Sequence, residues 1–169
     1  IHDERGFFAR NFCAKEFSKY GLAFKIVQCN ISYNKKKGTL RGMHYQIAPH
    51  AEAKIVSCPK GLVYDVIVDI RPDSPTYYQW VAVELSAENN KMLYVPKGFA
   101  HGFQTLSDNA VVFYYMSEFY SSICTRRIRW NDRRFNIRWP MQPTLMSEND
   151  RICKDWNSGE HFRVVQNEK

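Results

Sequence analysis

Leu62-Val63-Tyr64-Asp65-Val66-Ile67-Val68-Asp69-Ile70-Arg71-Pro72-Asp73-Ser74-Pro75 is the stretch that decides the fold class. From Leu62 to Ile70 it alternates Leu62, Tyr64, Val66, Val68 and Ile70 against Val63, Asp65, Ile67 and Asp69, the period of two that a pleated strand imposes. The run is rich in β-branched residues and stops at Arg71 to Pro75, where two prolines have no N–H for a ladder and Asp and Ser favour turns. A short strand with a hard stop is the unit by which the rest of the chain can be read.

Working toward the C-terminus, Gln79 to Leu85 and Lys91 to Val95 read as strands joined across Ser86 to Asn90. Pro96-Lys97-Gly98 turns into Ala100 to Leu106, and Ser107-Asp108-Asn109 turns into Ala110 to Met116. Toward the N-terminus, Pro59-Lys60-Gly61 is a turn after a short strand at Ala53 to Ser57, and a lysine-rich turn at 33–38 follows a strand at Lys25 to Ser32. Ala14 to Tyr20 reads as a short helix stopped by Gly21, and residues 3–12 as a turn at Gly6 leading into a short strand. The last forty or so residues, with Trp130, Trp139 and Pro140 among arginines, read as loops and one short helix wrapped over sheets, with a polar end from Asn157 expected to fray. Eight or more short strands with turn signals this close together describe an all-β antiparallel sandwich or barrel with short peripheral helices.

The composition agrees. At 169 residues and 44% hydrophobic content the chain reads as one domain over 1–169, long enough to bury a core without staples. It begins at Ile1 rather than Met, so further residues upstream are an expectation. Five cysteines, an odd number with no C-x-x-C pair, suggest neither a disulfide framework nor a zinc knuckle, and a reducing cytoplasm is the expected home. No apolar run approaches the roughly 18–20 residues of a membrane span, so no membrane partner is expected. The net charge of +7, concentrated in Lys35 to Lys37 and in Arg126, Arg127, Arg129, Arg133, Arg134 and Arg138, fits either a solvated basic face or a phosphate-binding role. Nucleic acid is not expected, since no helix-turn-helix, zinc-finger or RNP-like pattern supports it.

The chemistry centres on Leu40-Arg41-Gly42-Met43-His44-Tyr45-Gln46, answered by a second histidine in Val95 to Phe103. His44, Lys54, His101, Tyr114 and Tyr120 all fall on or at the ends of expected strands, and a jelly roll can turn such residues into one cavity. The set suits proton transfer at carbon: a histidine base, a tyrosine hydroxyl returning a proton from the opposite face, and a lysine ammonium stabilising an enolate between them. Asp150 would hold the imidazole in one tautomer. Singly, each has an ordinary structural reading, the tyrosines as core or interface aromatics, Lys54 as a surface lysine, Asp150 as a helix cap. The joint pattern carries the argument.

The same residues resemble a known family. Asp3-Glu4-Arg5-Gly6-Phe7-Phe8, Gln28-x-Asn30-x-Ser32, Lys37-Gly38-x-Leu40-Arg41-Gly42-x-His44-Tyr45-Gln46, Val68-Asp69-x-Arg71, Pro96-x-Gly98-Phe99-Ala100-His101-Gly102-Phe103 and Trp130-Asn131-Asp132 look like the dTDP-4-dehydrorhamnose 3,5-epimerases in order and approximate spacing. The resemblance implies a cupin-type jelly roll, homodimeric, acting without cofactor on a nucleotide-linked 4-keto-6-deoxy sugar. It implies His44 as base with Asp150 as its partner, Tyr114 as proton donor, Lys54 and His101 near the sugar and its developing oxyanion, and Tyr120 stacked on the nucleotide base. Arg5, Gln28, Asn30 and Arg41 match positions that hold the nucleotide and diphosphate. The chain departs from the pattern at Arg10, at Ser121 to Thr125, and at Asn149, and Arg127 and Arg133 replace an expected Gly and Pro. Retained chemistry with an altered nucleotide or sugar is the expectation. Three rivals follow: a C3-only or C5-only mono-epimerase; a metal-dependent cupin, for which Gln46 is a poor ligand and Glu52 the nearby carboxylate; and a non-catalytic sugar-nucleotide or nucleic-acid binder.

Overall fold

A computed structural model describes residues 1–157 of the chain. In order, its elements are β1 (His2–Asp3), β2 (Gly6–Phe7), α1 (Ala14–Lys19), β3 (Gln28–Asn34), β4 (Leu40–Gln46), β5 (Lys54–Lys60), β6 (Leu62–Asp69), β7 (Trp80–Ser86), β8 (Met92–Val95), β9 (Phe99–Thr105), β10 (Ala110–Met116), β11 (Thr125–Arg127) and α2 (Glu148–Arg151). They form a four-stranded sheet, β3-β10-β5-β8, a five-stranded sheet, β11-β4-β9-β6-β7, and a two-stranded hairpin, β1-β2. Every pairing within these sheets is antiparallel. The all-β jelly-roll reading therefore holds.

Three apolar clusters fix the layers. Val56, Cys58, Val63, Ile67, Leu85, Val95, Phe103 and Val112 meet between the inner faces of the two sheets. On the outer face of the five-stranded sheet, Met43, Tyr45, Val66, Val68 and Ile70 are roofed by Ile128, Phe135 and Trp156 from the C-terminal segment. On the outer face of the four-stranded sheet, Ile55 and Tyr115 pack under Phe12, Phe17 and Phe24. β6 is thus covered on both faces, and Asp65 and Asp69, at 0% and 1% exposure, are buried despite alternating as a solvent face would. Asp69 is held there by five hydrogen bonds from the Arg71 backbone and guanidinium, Ser74 Oγ and Thr76 Oγ1. Burial alone would raise its pKa, but these donors keep its carboxyl far below the usual range.

Several boundaries move from where sequence placed them. The strand expected over Lys25 to Ser32 is Gln28 to Asn34, because β10 supplies partners from Met116↔Gln28 to Ala110↔Asn34. Pro59 lies inside β5 rather than in a turn: the pairing with β10 slips between Phe113↔Ser57 and Val111↔Lys60, and a bulge spares proline a ladder bond. At the N-terminus the turn is centred on Glu4 and Arg5, with Gly6 opening a two-residue strand instead of a run toward Phe12. β11 arises between Met116 and Trp130, a stretch the sequence left unassigned because three residues are too few to carry a period. The helix at Ala14 does form, and Gly21 takes φ +72 just past its end, as a C-terminal stop requires. The polar end beyond Asn157 lies outside the described residues.

Candidate active site

Arg41 and His44 are three residues apart, and strict alternation would put them on opposite faces of β4. They share a face because the pairing with β9 slips between Arg41↔Phe103 and His44↔His101. Gly42 makes that slip possible. It sits at φ +135, and a Cβ there would lie 2.5 Å from Gly102 Cα and 3.1 Å from His101 O. Through the bulge, Arg41, His44 and His101 all line the space between the sheets.

His44 Nε2 lies 2.6 Å from Asp150 Oδ1. Donation from Nε2 leaves Nδ1 as the nitrogen with a free lone pair. Asp150 is delivered by α2, a single turn whose N-cap is Ser147, with Asp150 N donating to Ser147 Oγ at 3.2 Å. The cap is the serine, which frees the aspartate for the histidine. Burial lowers the His44 pKa; its hydrogen bond and charge contact with Asp150 pull upward, Lys54 and Arg127 push down, and the net is below the ordinary value of 6.5. For Asp150 burial opposes ionisation, but the contacts with His44, Ser147 and the Gly42 amide outweigh it and the carboxyl is held below its usual value.

The four-stranded sheet supplies the facing wall. Gln28, Asn30, Tyr114 and Lys54 project inward from β3, β10 and β5 into a cavity of about 270 Å³ that also takes in His44 and Tyr120. A second, adjoining cavity of about 360 Å³ shares His44, Lys54 and Tyr114 and adds Arg41 and His101. Lys54 Nζ is 3.0 Å from Glu52 Oε1. Burial raises the Tyr114 pKa, with Arg41 opposing and Glu52 adding, so its phenol stays protonated at neutral pH. Tyr120, 60% exposed, stands at the mouth. Its loop is gripped by Gln46, which donates to Phe119 O at 3.1 Å and accepts from Ser121 N at 2.6 Å, while Tyr120 N donates to Gln28 Oε1 at 3.3 Å.

Of the ten residues singled out by sequence, nine meet here. Arg5 does not: it closes its own hairpin turn on Asp3, Nη2 to Oδ2 at 2.6 Å, with 90% of its side chain exposed. Sequence reasoning missed Asp65, which holds His101 Nε2 at 2.9 Å from the neighbouring strand, and Asn34, whose Oδ1 accepts from Arg41 Nε at 2.8 Å. An acidic residue inside an otherwise apolar alternation was the available signal for Asp65. Within the arginine cluster sequence reasoning marked Arg127 and Arg133 only as departures from the family pattern, without saying which arginine meets the site. Arg129 bonds the Cys153 carbonyl, Arg126 those of Ile123 and Thr125, and Arg134 lies over the Tyr78 ring. Arg127 alone of that cluster lines the cavity.

Comparison with known proteins identifies the family. Residues 1–158 match the family profile described as dTDP-4-dehydrorhamnose 3,5-epimerase. The chain is 50% identical over 149 residues to the dTDP-4-dehydrorhamnose 3,5-epimerase of Shigella flexneri, an overlap of 88% of this chain and 82% of the relative. The solved dTDP-4-dehydrorhamnose 3,5-epimerase of Bacillus anthracis, with TDP and PPi bound, superposes with a TM-score of 0.88 at 43% identity, covering 91% of this chain and 88% of that one. That of Legionella pneumophila, in complex with dTDP-4-keto-L-rhamnose, gives 0.85 at 42% identity, with 90% and 81% covered.

Proposed function

The chain belongs to the dTDP-4-dehydrorhamnose 3,5-epimerase family, and we propose that its reaction, epimerisation at C3 and C5 of a dTDP-linked 4-keto-6-deoxy sugar, runs through the side chains that meet between its two sheets. The observation that carries this reading is the placement of His44 on one sheet and Tyr114 on the other, with Lys54 lining the same space. A sugar held between them presents one ring face to a base and the other to an acid.

The 4-keto group acidifies the C3 and C5 protons. His44 Nδ1 takes one of them, the C–H electron pair moves into an enolate, and the charge on O4 is met by the Lys54 ammonium. Tyr114 then gives its hydroxyl proton to the same carbon from the opposite face, inverting it. One C–H bond breaks and one forms, with no change of oxidation state. Asp150 holds the imidazole tautomer and stabilises the histidinium formed. Tyr120 stacks on the base at the mouth, and Gln28, Asn30, Arg41 and His101 hold the remainder of the nucleotide and sugar.

We further propose a homodimer. β3 is an edge strand whose outer face exposes Ile31 at 71% and Tyr33 at 50%, a surface that a second copy would cover. Arg5 joins a substrate site only in such an assembly, by reaching from its hairpin toward the other copy. A single domain over 1–169 acting in the cytoplasm fits the five free cysteines among the described residues. No helix among those residues is long and apolar enough to cross a membrane.

Incubation with dTDP-4-keto-6-deoxyglucose in heavy water tests the reaction. Deuterium is expected at both C3 and C5 by NMR. Label at one carbon only would make this a mono-epimerase, and label at neither would sink the proposal.

A further inference from the structure

Asp150 Oδ1 serves two partners, His44 Nε2 at 2.6 Å and Arg127 Nε at 3.4 Å. The mechanism above makes no use of Arg127. Yet β11 sets it directly opposite His44, and its Nε is shut off from solvent with no aligned hydrogen bond among the described residues. Its contact with Asp150 is therefore one of charge. Leaving a buried donor without a hydrogen bond costs on the order of 1–3 kcal/mol, a cost that any small neutral residue in this short edge strand would avoid.

We propose that Arg127 is a positioning residue which shares Asp150 with His44 and thereby helps burial keep the imidazole a neutral proton acceptor. This rests on His44 being the base of the proposed reaction. Alone, a carboxylate at 2.6 Å would favour the imidazolium, which cannot take a proton from carbon. Of the other charged groups facing the ring, Lys54 opposes a proton there too, ahead of Arg127. Lys54 on β5 is already answered by Glu52 at 3.0 Å. His101 on β9 is turned onto Asp65 at 2.9 Å, Arg41 on β4 itself is bonded to Asn34, and Tyr114 on β10 is an uncharged phenol at neutral pH. Arg127 acts on both members of the pair: it draws charge from the oxygen that His44 uses, and it repels a proton on the ring. Burial is the largest downward influence on the His44 pKa, Asp150 pulls it up, and Arg127 is among the cations that push it down.

The ring titration of His44, followed by NMR and assigned by the signal lost in H44A, tests this without turnover. In R127Q the His44 midpoint is expected to rise by about half a unit to one unit, and the acid limb of kcat/KM for heavy-water exchange should move up with it, while KM at pH 8 changes by less than about threefold. R127K, which keeps the charge, should recover most of the shift. An unmoved His44 titration in R127Q, or the same rise in R127K, would overturn the proposal. Should R127Q fail to fold, R127T, β-branched and suited to an edge strand, takes its place. If wild-type protein shows no exchange, the epimerase reading fails by itself, and the NMR titration still decides the role of Arg127.

Discussion

At the scale of the residue, the site divides proton removal from proton return. H44A is expected to lower exchange at C3 and C5 by about 100- to 10,000-fold, measured by deuterium incorporation. Y114F should still lose the proton and incorporate label but fail to invert, because the donor on the far face is gone. Wild-type exchange in H44A would refute the assignment of the base. The pH profile follows from the same residue. His44 must be neutral to act, and its folded pKa lies below 6.5, so the acid limb of kcat/KM is expected below pH 6.5. The sign is the same for stability: with the folded value depressed, the stability linked to His44 is full above 6.5 and is lost as pH falls through that lower value.

At the scale of the element, the working part is the bulge in β4. A strand's period of two separates Arg41 from His44, and only the slip against β9 returns them to one face. G42A puts a methyl group 2.5 Å from Gly102 Cα at a φ of +135, a conformation that L residues avoid. We expect a loss of about 2–4 kcal/mol, seen as a lower denaturant midpoint, and an exchange rate reduced beyond what residual folding explains. A G42A protein of wild-type stability and activity would show that the bulge is not needed to align the two side chains. The short helix α2 plays the complementary part for the facing carboxylate, since its serine cap leaves Asp150 to His44.

At the scale of the whole molecule, the edge strand β3 makes the dimer testable: light scattering should give twice the chain mass, and I31E with Y33E should yield a monomer weakened in nucleotide binding if the hairpin bearing Arg5 serves the other copy. A wild-type monomer with full activity would remove Arg5 from the substrate set. The sequence by itself determined most of the strands, though not their ends, because alternation and turn residues act locally. It also singled out the histidines, tyrosines and Asp150 that meet between the sheets, because their types in those motifs are few. Which face each strand buried was decided only by tertiary packing. β3 turns polar Gln28 and Asn30 inward and Ile31 outward, since its inner side borders a cavity rather than a core. Asp65 finds its partner on β9, and Pro59 survives in a strand because the neighbouring ladder bulges. Sequence marked Arg127 only as standing where a Gly was expected, and sheet pairing alone set it against His44 and Asp150. Electrostatic coupling depends on distances of a few ångströms between residues far apart in the chain, and only the assembled sheets set those distances.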